Sequence, residues 1–192
     1  MNPRRRAAIA CAALAVWQLG AGGYIHAKAL LAQALLERAW TRQLADHAAH
    51  RPWPWADTVP VARLTVPRLA VSEIVLAGDS GRTLAFGPAW NEGSAPLGTD
   101  GPSIVSGHRD THFAFLSALR PDDTLILETG AGRSADYRVT GTRIVDSRTT
   151  RIDAVAGGRT LLLVTCYPFD AIVPGGPLRY VVFAEPAMRP AS

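Results

Sequence analysis

Apolar residues dominate the chain from Ala7 to Ile25, a stretch that contains no formally charged residue and directly follows three arginines. In a helix that rises about 1.5 Å per residue, this stretch is about as long as the ~30 Å hydrocarbon core of a bilayer is thick. Basic residues stay on the cytoplasmic side, so the remainder of the chain would lie outside. The pattern predicts a cytoplasmic tail over residues 1–6 and a transmembrane anchor over residues 7–25.

A cleavable signal peptide has the same basic start and apolar middle, and it is the alternative interpretation of this segment. Three features favour an uncleaved anchor. The apolar stretch is long, the small-residue site at Ile25 to Ala27 is poor, and the sequence beyond it stays helical in character.

The segment from His26 to Ala49 is rich in Ala, Leu, Gln and Arg, which are good helix formers. Leu36, Trp40 and Leu44 recur at four-residue spacing and would form one apolar edge. Because proline ends helices, we expect the Pro-rich segment that begins at Arg51 to stop the helix. The pattern predicts a helical stalk over residues 26–51.

Beyond the stalk, short β-branched or leucine-rich runs alternate with Gly, Pro, Asp and Ser. Two short helical pieces are expected at Arg82 to Phe86 and at His112 to Leu119. Seven or eight short strands with so little helix predict a mainly β barrel or sandwich, and a chain of this length allows one core. The predicted strands lie near Val61–Val66, Val71–Leu76, Ser103–Ser106, Thr124–Leu127, Asp136–Val145, Thr160–Thr165 and Leu178–Phe183.

The formal net charge of +4 and the pI near 9.6 make the chain mildly basic. Its arginines are spread along the sequence, whereas nucleic-acid-binding surfaces usually gather basic residues into one patch or stripe. We therefore expect no nucleic-acid partner.

The two cysteines lie in different predicted regions of the chain. Cys11 lies inside the predicted membrane span, and Cys166 ends an apolar run in the outer domain, so the two cannot pair. An unpaired thiol is unusual in an oxidising compartment and is a candidate reactive group. The alternative is a small buried apolar residue. A reactive thiol would need a histidine or a cation nearby, because the thiolate is the nucleophile.

Two residues could supply that help. His108 follows a short apolar run, as Cys166 does, so an imidazole and a thiol would stand at two strand ends and could form a nucleophile and acid/base pair. Arg179 starts a strand after a Pro/Gly-rich loop that folds back from Cys166. A guanidinium stays protonated and offers several donors to an oxyanion or a carbonyl.

The segment HRDTH, His108 to His112, has two histidines at the spacing of zinc ligands on a helix. The glutamate of the zincin pattern is missing, with Arg109 in its place, so we expect no metal. His112 is expected to begin the short helix. Asp110 is expected either to orient His108 or to cap that helix.

Taken as a set, GHRDTHFAFL, LLLVTCYPFD and GGPLRY resemble the sortases, cysteine transpeptidases of bacterial envelopes. The set is similar to the branch found in Gram-negative bacteria, often called class GN or marine proteobacterial sortase. With PWPWADTVPVARLTVPRL and SGRTLAFGPA, the resemblance covers about Pro52 to Phe183. The motif reads LVTC, with Val164 between a leucine and Thr165, which departs from the TxTC form of the family but keeps the pair Thr165-Cys166 intact.

The resemblance implies an eight-stranded sortase β-barrel over residues 52–192, preceded by the anchor and the stalk. His108, Cys166 and Arg179 match the catalytic trio one by one. Thr165, Asp110 and His112 are predicted as supporting or substrate-binding residues, and no cofactor is expected.

The same resemblance implies the partners and the location. One partner would be a secreted protein with an LPXTG-like C-terminal sorting signal, cleaved after Thr through a thioacyl enzyme, and the other an amine acceptor of the cell envelope. The enzyme would be a single-pass protein of the inner membrane with a periplasmic barrel. Two alternatives stay open: a cysteine peptidase of the same fold that only hydrolyses, and a non-catalytic, membrane-tethered peptide-binding module.

Overall fold

The N-terminal part of the protein forms one continuous helix, α1 (Pro3–Asp46). The computed structural model describes residues 2–151, 158–173 and 175–187. The side chain of Asn2 accepts a hydrogen bond from the N–H of Arg4 and caps the helix start. The N-terminal part of α1 is long and apolar enough to cross a membrane, and its apolar stretch is not buried against the rest of the protein. The segments predicted as anchor and stalk therefore belong to one helix.

The helix ends earlier than the prolines predicted. His47 adopts a left-handed conformation with φ 58°, and its N–H donates to the carbonyl of Gln43 at 2.7 Å. The carboxylate of Asp46 accepts from the N–H of Ala48 at 2.9 Å. These local caps satisfy the end of the helix before the chain reaches Arg51. The prediction of helix up to Ala49 was therefore wrong at its end.

The C-terminal half of α1 packs against the outside of the barrel. Leu36 and Trp40 are 0% and 1% exposed, and they lie in one cluster with Ile74 and Leu76, with Leu44 packed against it. This confirms the apolar edge predicted from the four-residue spacing. The stalk is thus a layer of the folded domain along this half.

Eight strands form one closed barrel in the order β1-β2-β3-β4-β7-β8-β6-β5. A short helix, α2 (Gly81–Leu84), follows the second strand, and 3₁₀ turns lie at Pro67–Leu69 and Ala114–Ala118. The mainly β, eight-stranded barrel is as predicted. The strands are β1 (Pro60–Val66), β2 (Val71–Ala77), β3 (Ala89–Trp90), β4 (Pro102–Ser106), β5 (Thr124–Thr129), β6 (Ser134–Asp146), β7 (Thr160–Cys166) and β8 (Leu178–Pro186).

Strand β7 is buried on both faces, unlike β1, whose residues alternate between buried and partly exposed. Leu161 and Leu163 belong to the main core inside the barrel, whereas Leu162 and Val164 pack in a second cluster with residues of β6 and β8. This double burial explains the continuous apolar run of the sequence. It also makes β7 a rigid support for Cys166, the partly exposed residue at its end.

The turn between β5 and β6 contacts the end of α1. The Gln43 side chain is buried there, and its Oε1 has no hydrogen-bond partner among the described residues. A Cβ placed on Gly130 would clash with the Gln43 side chain. The present position of that side chain therefore depends on the absence of a side chain at residue 130.

Candidate active site

Strands β4 and β7 are parallel neighbours, so both end at the same edge of the barrel. Ser106 pairs with Val164, and the N–H of Gly107 donates to the carbonyl of Val164 at 3.1 Å. The chain reaches His108 directly after this contact on one strand, and Cys166 shortly after it on the other. The pairing brings together the strand ends that lead, two residues later in each case, to the predicted histidine and cysteine.

A buried side-chain bond fixes this junction. The hydroxyl of Thr165 donates to the carbonyl of Gly107 at 2.7 Å, and the Thr165 side chain is buried. Each of the two bonded residues immediately precedes one of the candidate reactive groups. The Thr165 side chain therefore links the backbone that precedes His108 to the backbone that precedes Cys166.

Arg179 lies opposite Cys166. Strands β7 and β8 are antiparallel, and Cys166 is paired in register with Arg179. The Nη1 of Arg179 donates to the carbonyls of Gly176 at 2.7 Å and Leu178 at 2.9 Å. Among the described residues, Nε and Nη2 of this guanidinium make no hydrogen bond, which leaves them available to a ligand.

The three side chains differ in exposure at this end of the barrel. His108 is exposed, and Cys166 and Arg179 are each partly buried. A thiol, an imidazole and a guanidinium therefore stand at one accessible edge. These groups can supply a nucleophile, a proton carrier and an oxyanion donor.

A carboxylate at the end of β6 adds to the charge around Arg179. Hydrogen bonds from the Arg148 guanidinium and from the Arg148 N–H lower the pKa of Asp146 to about 2, and the charge of Arg179 contributes further. Asp146 is consequently ionised throughout the neutral range.

Asp110 is placed differently from either expectation. Its carboxylate accepts from Nε of Arg109 at 3.2 Å. In the part of the chain that the structure describes, His108 makes no side-chain hydrogen bond, so Asp110 does not orient it. The 3₁₀ turn that follows has Phe113 at its N-cap and no side-chain capping bond.

His112 does not begin a helix, because the 3₁₀ turn starts only at Ala114. The Nδ1 of His112 lies 2.9 Å from Oε2 of Glu73 on β2, and both side chains are partly buried. This pair ties the loop after β4 to the neighbouring wall of the barrel. Within residues 2–151, 158–173 and 175–187, no group of three or more His, Cys, Asp or Glu could hold a metal ion.

Two features of the site were missed by the sequence analysis. Arg109 is buried and donates to backbone carbonyls in the loop after Cys166. The rings of Tyr167, Phe169 and Tyr180 form a cluster with centroid distances of 5.2–6.3 Å, and Tyr167 directly follows Cys166 in the sequence. Neither feature is visible in the sequence pattern. Arg109 finds its partners in a distant loop, and the aromatic cluster joins that loop to Tyr180 of β8.

Comparison with known proteins agrees with this architecture. The family model described as Sortase domain matches residues 64–187. The chain is similar to Sortase D of Bacillus subtilis (strain 168), with 30% identity over 123 residues, 64% of this chain and 61% of the relative. The match thus spans about three fifths of that curated protein.

Solved structures of similar shape carry the same family name. Sortase C-1 from Actinomyces oris superimposes with a TM-score of 0.58 at 26% identity, covering 68% of this chain and 76% of the other. Sortase A from Corynebacterium diphtheriae gives a TM-score of 0.62 at 18% identity, with coverages of 83% and 85%, and supports the fold alone. The match of the family model to well over half of the chain, on a closed barrel of the same kind, means that the chain belongs to the sortase family.

Proposed function

We propose that the protein is a membrane-anchored cysteine transpeptidase. It cleaves an LPXTG-like C-terminal sorting signal after the threonine and transfers the protein to an amine acceptor of the envelope. The observation that supports the proposal is the strand register: β4, which leads to His108, pairs with β7, and Cys166 at the end of β7 pairs with Arg179 of β8.

In the first half of the reaction, the Cys166 thiol gives its proton to His108, and Sγ attacks the threonine carbonyl of the signal. The free Nε and Nη2 donors of Arg179 stabilise the oxyanion that forms. The C–N bond to the following glycine then breaks, and His108 gives a proton to the leaving amine. The product of this half is a thioester between Cys166 and the substrate protein.

In the second half, His108 takes a proton from the incoming amine, which attacks the thioester carbonyl. The C–S bond breaks, the thiol is restored, and an amide joins the substrate protein to the acceptor. His108 is exposed, so both the leaving and the incoming amine can reach it.

The loop between Cys166 and Arg179 supports recognition of an apolar peptide. Ile172 and Val173 are 97% and 78% exposed, and they follow Phe169 of the aromatic cluster within four residues of the sequence. Exposed apolar side chains next to a reactive group are suited to a leucine and a proline of a substrate.

The proposed location follows from α1. Three arginines precede its apolar stretch, which favours an inner-membrane span with the barrel in the periplasm. The assignment to the Gram-negative branch rests on the resemblance of the three sequence motifs.

The proposal is tested with the full chain in detergent and a peptide that carries an LPXTG-like signal. Mass spectrometry with and without an added amine should show an amide product in one case and a carboxylate in the other. Cys166→Ala should lower the cleavage rate by at least about 10³-fold, because the nucleophile is lost. Cys11→Ala is the matched control, since this thiol lies in α1, and it should leave the rate unchanged.

Two results would contradict the proposal. Cleavage that survives Cys166→Ala would exclude a cysteine nucleophile. A carboxylate product at every amine concentration would instead support the peptidase that only hydrolyses.

A further inference from the structure

Arg109 follows His108 directly in sequence and is only 8% exposed. A buried guanidinium keeps its charge, so its donors must find acceptors inside the protein. The carboxylate beside it, Asp110, is 70% exposed at the side chain and lies 3.2 Å from Nε. This contact faces solvent and does not explain why the other end of the Arg109 side chain is buried.

The two terminal nitrogens bind the loop that follows Cys166. Nη1 of Arg109 donates to the carbonyl of Pro168 at 2.7 Å, and Nη2 donates to the carbonyl of Ala171 at 2.6 Å. Both acceptors come within five residues of Cys166 in sequence. One side chain therefore connects the loop after the candidate acid/base to the loop after the candidate nucleophile.

The turn that carries His108 and Arg109 is itself fixed to the core of the barrel. The carbonyl of His108 accepts from the N–H of Phe113 at 3.0 Å, which closes the turn that carries the imidazole. The Phe113 side chain is fully buried in the main core. Arg109 thus joins a turn fixed to the core with a loop that is otherwise exposed at Pro168 and Asp170.

Only arginine can make this connection. Its planar fork presents two separate nitrogens at a fixed spacing, and each donates to a different carbonyl. Charge-assisted hydrogen bonds are about twice as strong as neutral ones. A lysine would keep the charge but would concentrate its donors on one atom.

We propose that Arg109 is a positioning residue, which holds the imidazole of His108 and the thiol of Cys166 at their working separation by joining the two loops. The inference rests on the proposed function of this pair. Arg109 itself contacts neither thiol nor substrate and acts through the backbone of both loops.

The main test measures how much His108 changes the apparent pKa of the Cys166 thiol. In a Cys11→Ala background, the rate of Cys166 alkylation by iodoacetamide is recorded against pH, with and without His108→Ala. The change in apparent thiol pKa that His108→Ala causes is the coupling between the two groups. We expect Arg109→Lys to reduce this change to less than about half, because thiol reactivity depends on nearby charge.

Arg68→Lys is the matched control. Arg68 also binds a carboxylate and a carbonyl, those of Asp123 and Ala118. Both acceptors lie at the far end of the connection between β4 and β5, and Arg68 makes no hydrogen bond to the turn His108–Phe113 or to the loop after Cys166 among the described residues. Its substitution should leave the coupling as in the unsubstituted protein. In peptide cleavage, Arg109→Lys should lower kcat about 10- to 100-fold with little change in KM, the result expected of misplaced reacting groups.

Thermal unfolding is measured for each variant, and Arg109→Gln, which keeps a donor without the charge, replaces Arg109→Lys if the latter does not fold. Full coupling and full kcat in a folded Arg109 variant would overturn the positioning role while leaving the proposed function intact. Absence of any effect of His108→Ala in the unsubstituted protein would overturn both, since there would be no pair to position.

Discussion

The Thr165 hydroxyl is a buried polar group directly before the thiol. It donates to the carbonyl of Gly107, whose own N–H is bound by Val164, so the glycine is held from two sides. Gly107 cannot carry a side chain, because a Cβ there would lie 2.6 Å from the Phe113 ring, which is fully buried. Threonine and glycine at these positions are therefore explained by packing at the junction of β4 and β7.

Thr165→Val keeps the shape of the side chain and removes the donor. We expect the free energy of unfolding to fall by about 1–3 kcal/mol, because the buried carbonyl of Gly107 loses its side-chain partner. Thr165→Ser retains the hydroxyl and is the control, with a smaller loss. Denaturant unfolding measures both, and equal stability of the valine variant and the unsubstituted protein would contradict this role of the bond.

Individual site residues were predictable to different degrees. Cys166 and His108 follow apolar runs, and a strand end is visible in a sequence. Their adjacency was not visible, because it depends on the parallel pairing of β4 with β7 across a long segment of chain. Arg109 was missed because an arginine that follows a histidine looks like a surface residue until the partner loop is known.

The contact between α1 and the barrel depends on a close approach at one turn. Gly130 lies under the Gln43 side chain, and Leu36 and Trp40 of α1 pack in a cluster with Ile74 and Leu76. The N–H of Gly130 is also bound to the carbonyl of Val61 at 2.9 Å, so the turn cannot easily move away.

Gly130→Ala should therefore destabilise the protein by roughly 1–3 kcal/mol, as overpacking does in a closely packed contact. Gln43→Ala removes the side chain that a new methyl group would meet. The double variant should recover part of the loss, which appears as a coupling free energy in a double-mutant cycle. Additive effects of the two substitutions, measured by thermal unfolding, would show that the clash is relieved elsewhere.

Element boundaries were less predictable than element types. The two-residue strand β3 was missed, because two residues cannot show the alternation that marks a strand. The end of α1 was placed too late, since the prolines were visible but the cap formed by Asp46 and His47 depends on a left-handed residue. The expected helix at His112 to Leu119 proved to be a shorter 3₁₀ turn, Ala114–Ala118.

The whole molecule combines a long helix with a barrel, and the C-terminal half of that helix packs against the barrel. The described residues of the N-terminal apolar stretch of α1 are not buried, whereas Leu36 and Trp40 pack with Ile74 and Leu76 of β2. The boundary between the exposed apolar stretch and the folded domain therefore lies within α1, well before its end.

Two truncations locate that boundary. Removal of residues 1–30 should leave the melting temperature of the barrel nearly unchanged, because the buried residues of α1 remain. Removal of residues 1–47 should lower stability by several kcal/mol, since each lost Leu or Trp contact is worth roughly 2–5 kcal/mol. Calorimetry and binding of an apolar dye measure the difference, and equal melting temperatures for the two proteins would contradict the packing role of α1.

The helix α1 runs without a break from its apolar stretch to the residues that pack against the barrel, so no loop separates the two parts of the helix. In the proposed membrane-anchored protein, the number of residues between Ile25 and Leu36 then sets both the distance of the barrel from the membrane and its rotation about the axis of α1. Each residue of a helix adds about 1.5 Å and turns the chain by about 100°. Loss of a single residue from this segment would bring the barrel only about 1.5 Å closer to the membrane, but it would rotate the catalytic edge by about 100° around the axis of α1.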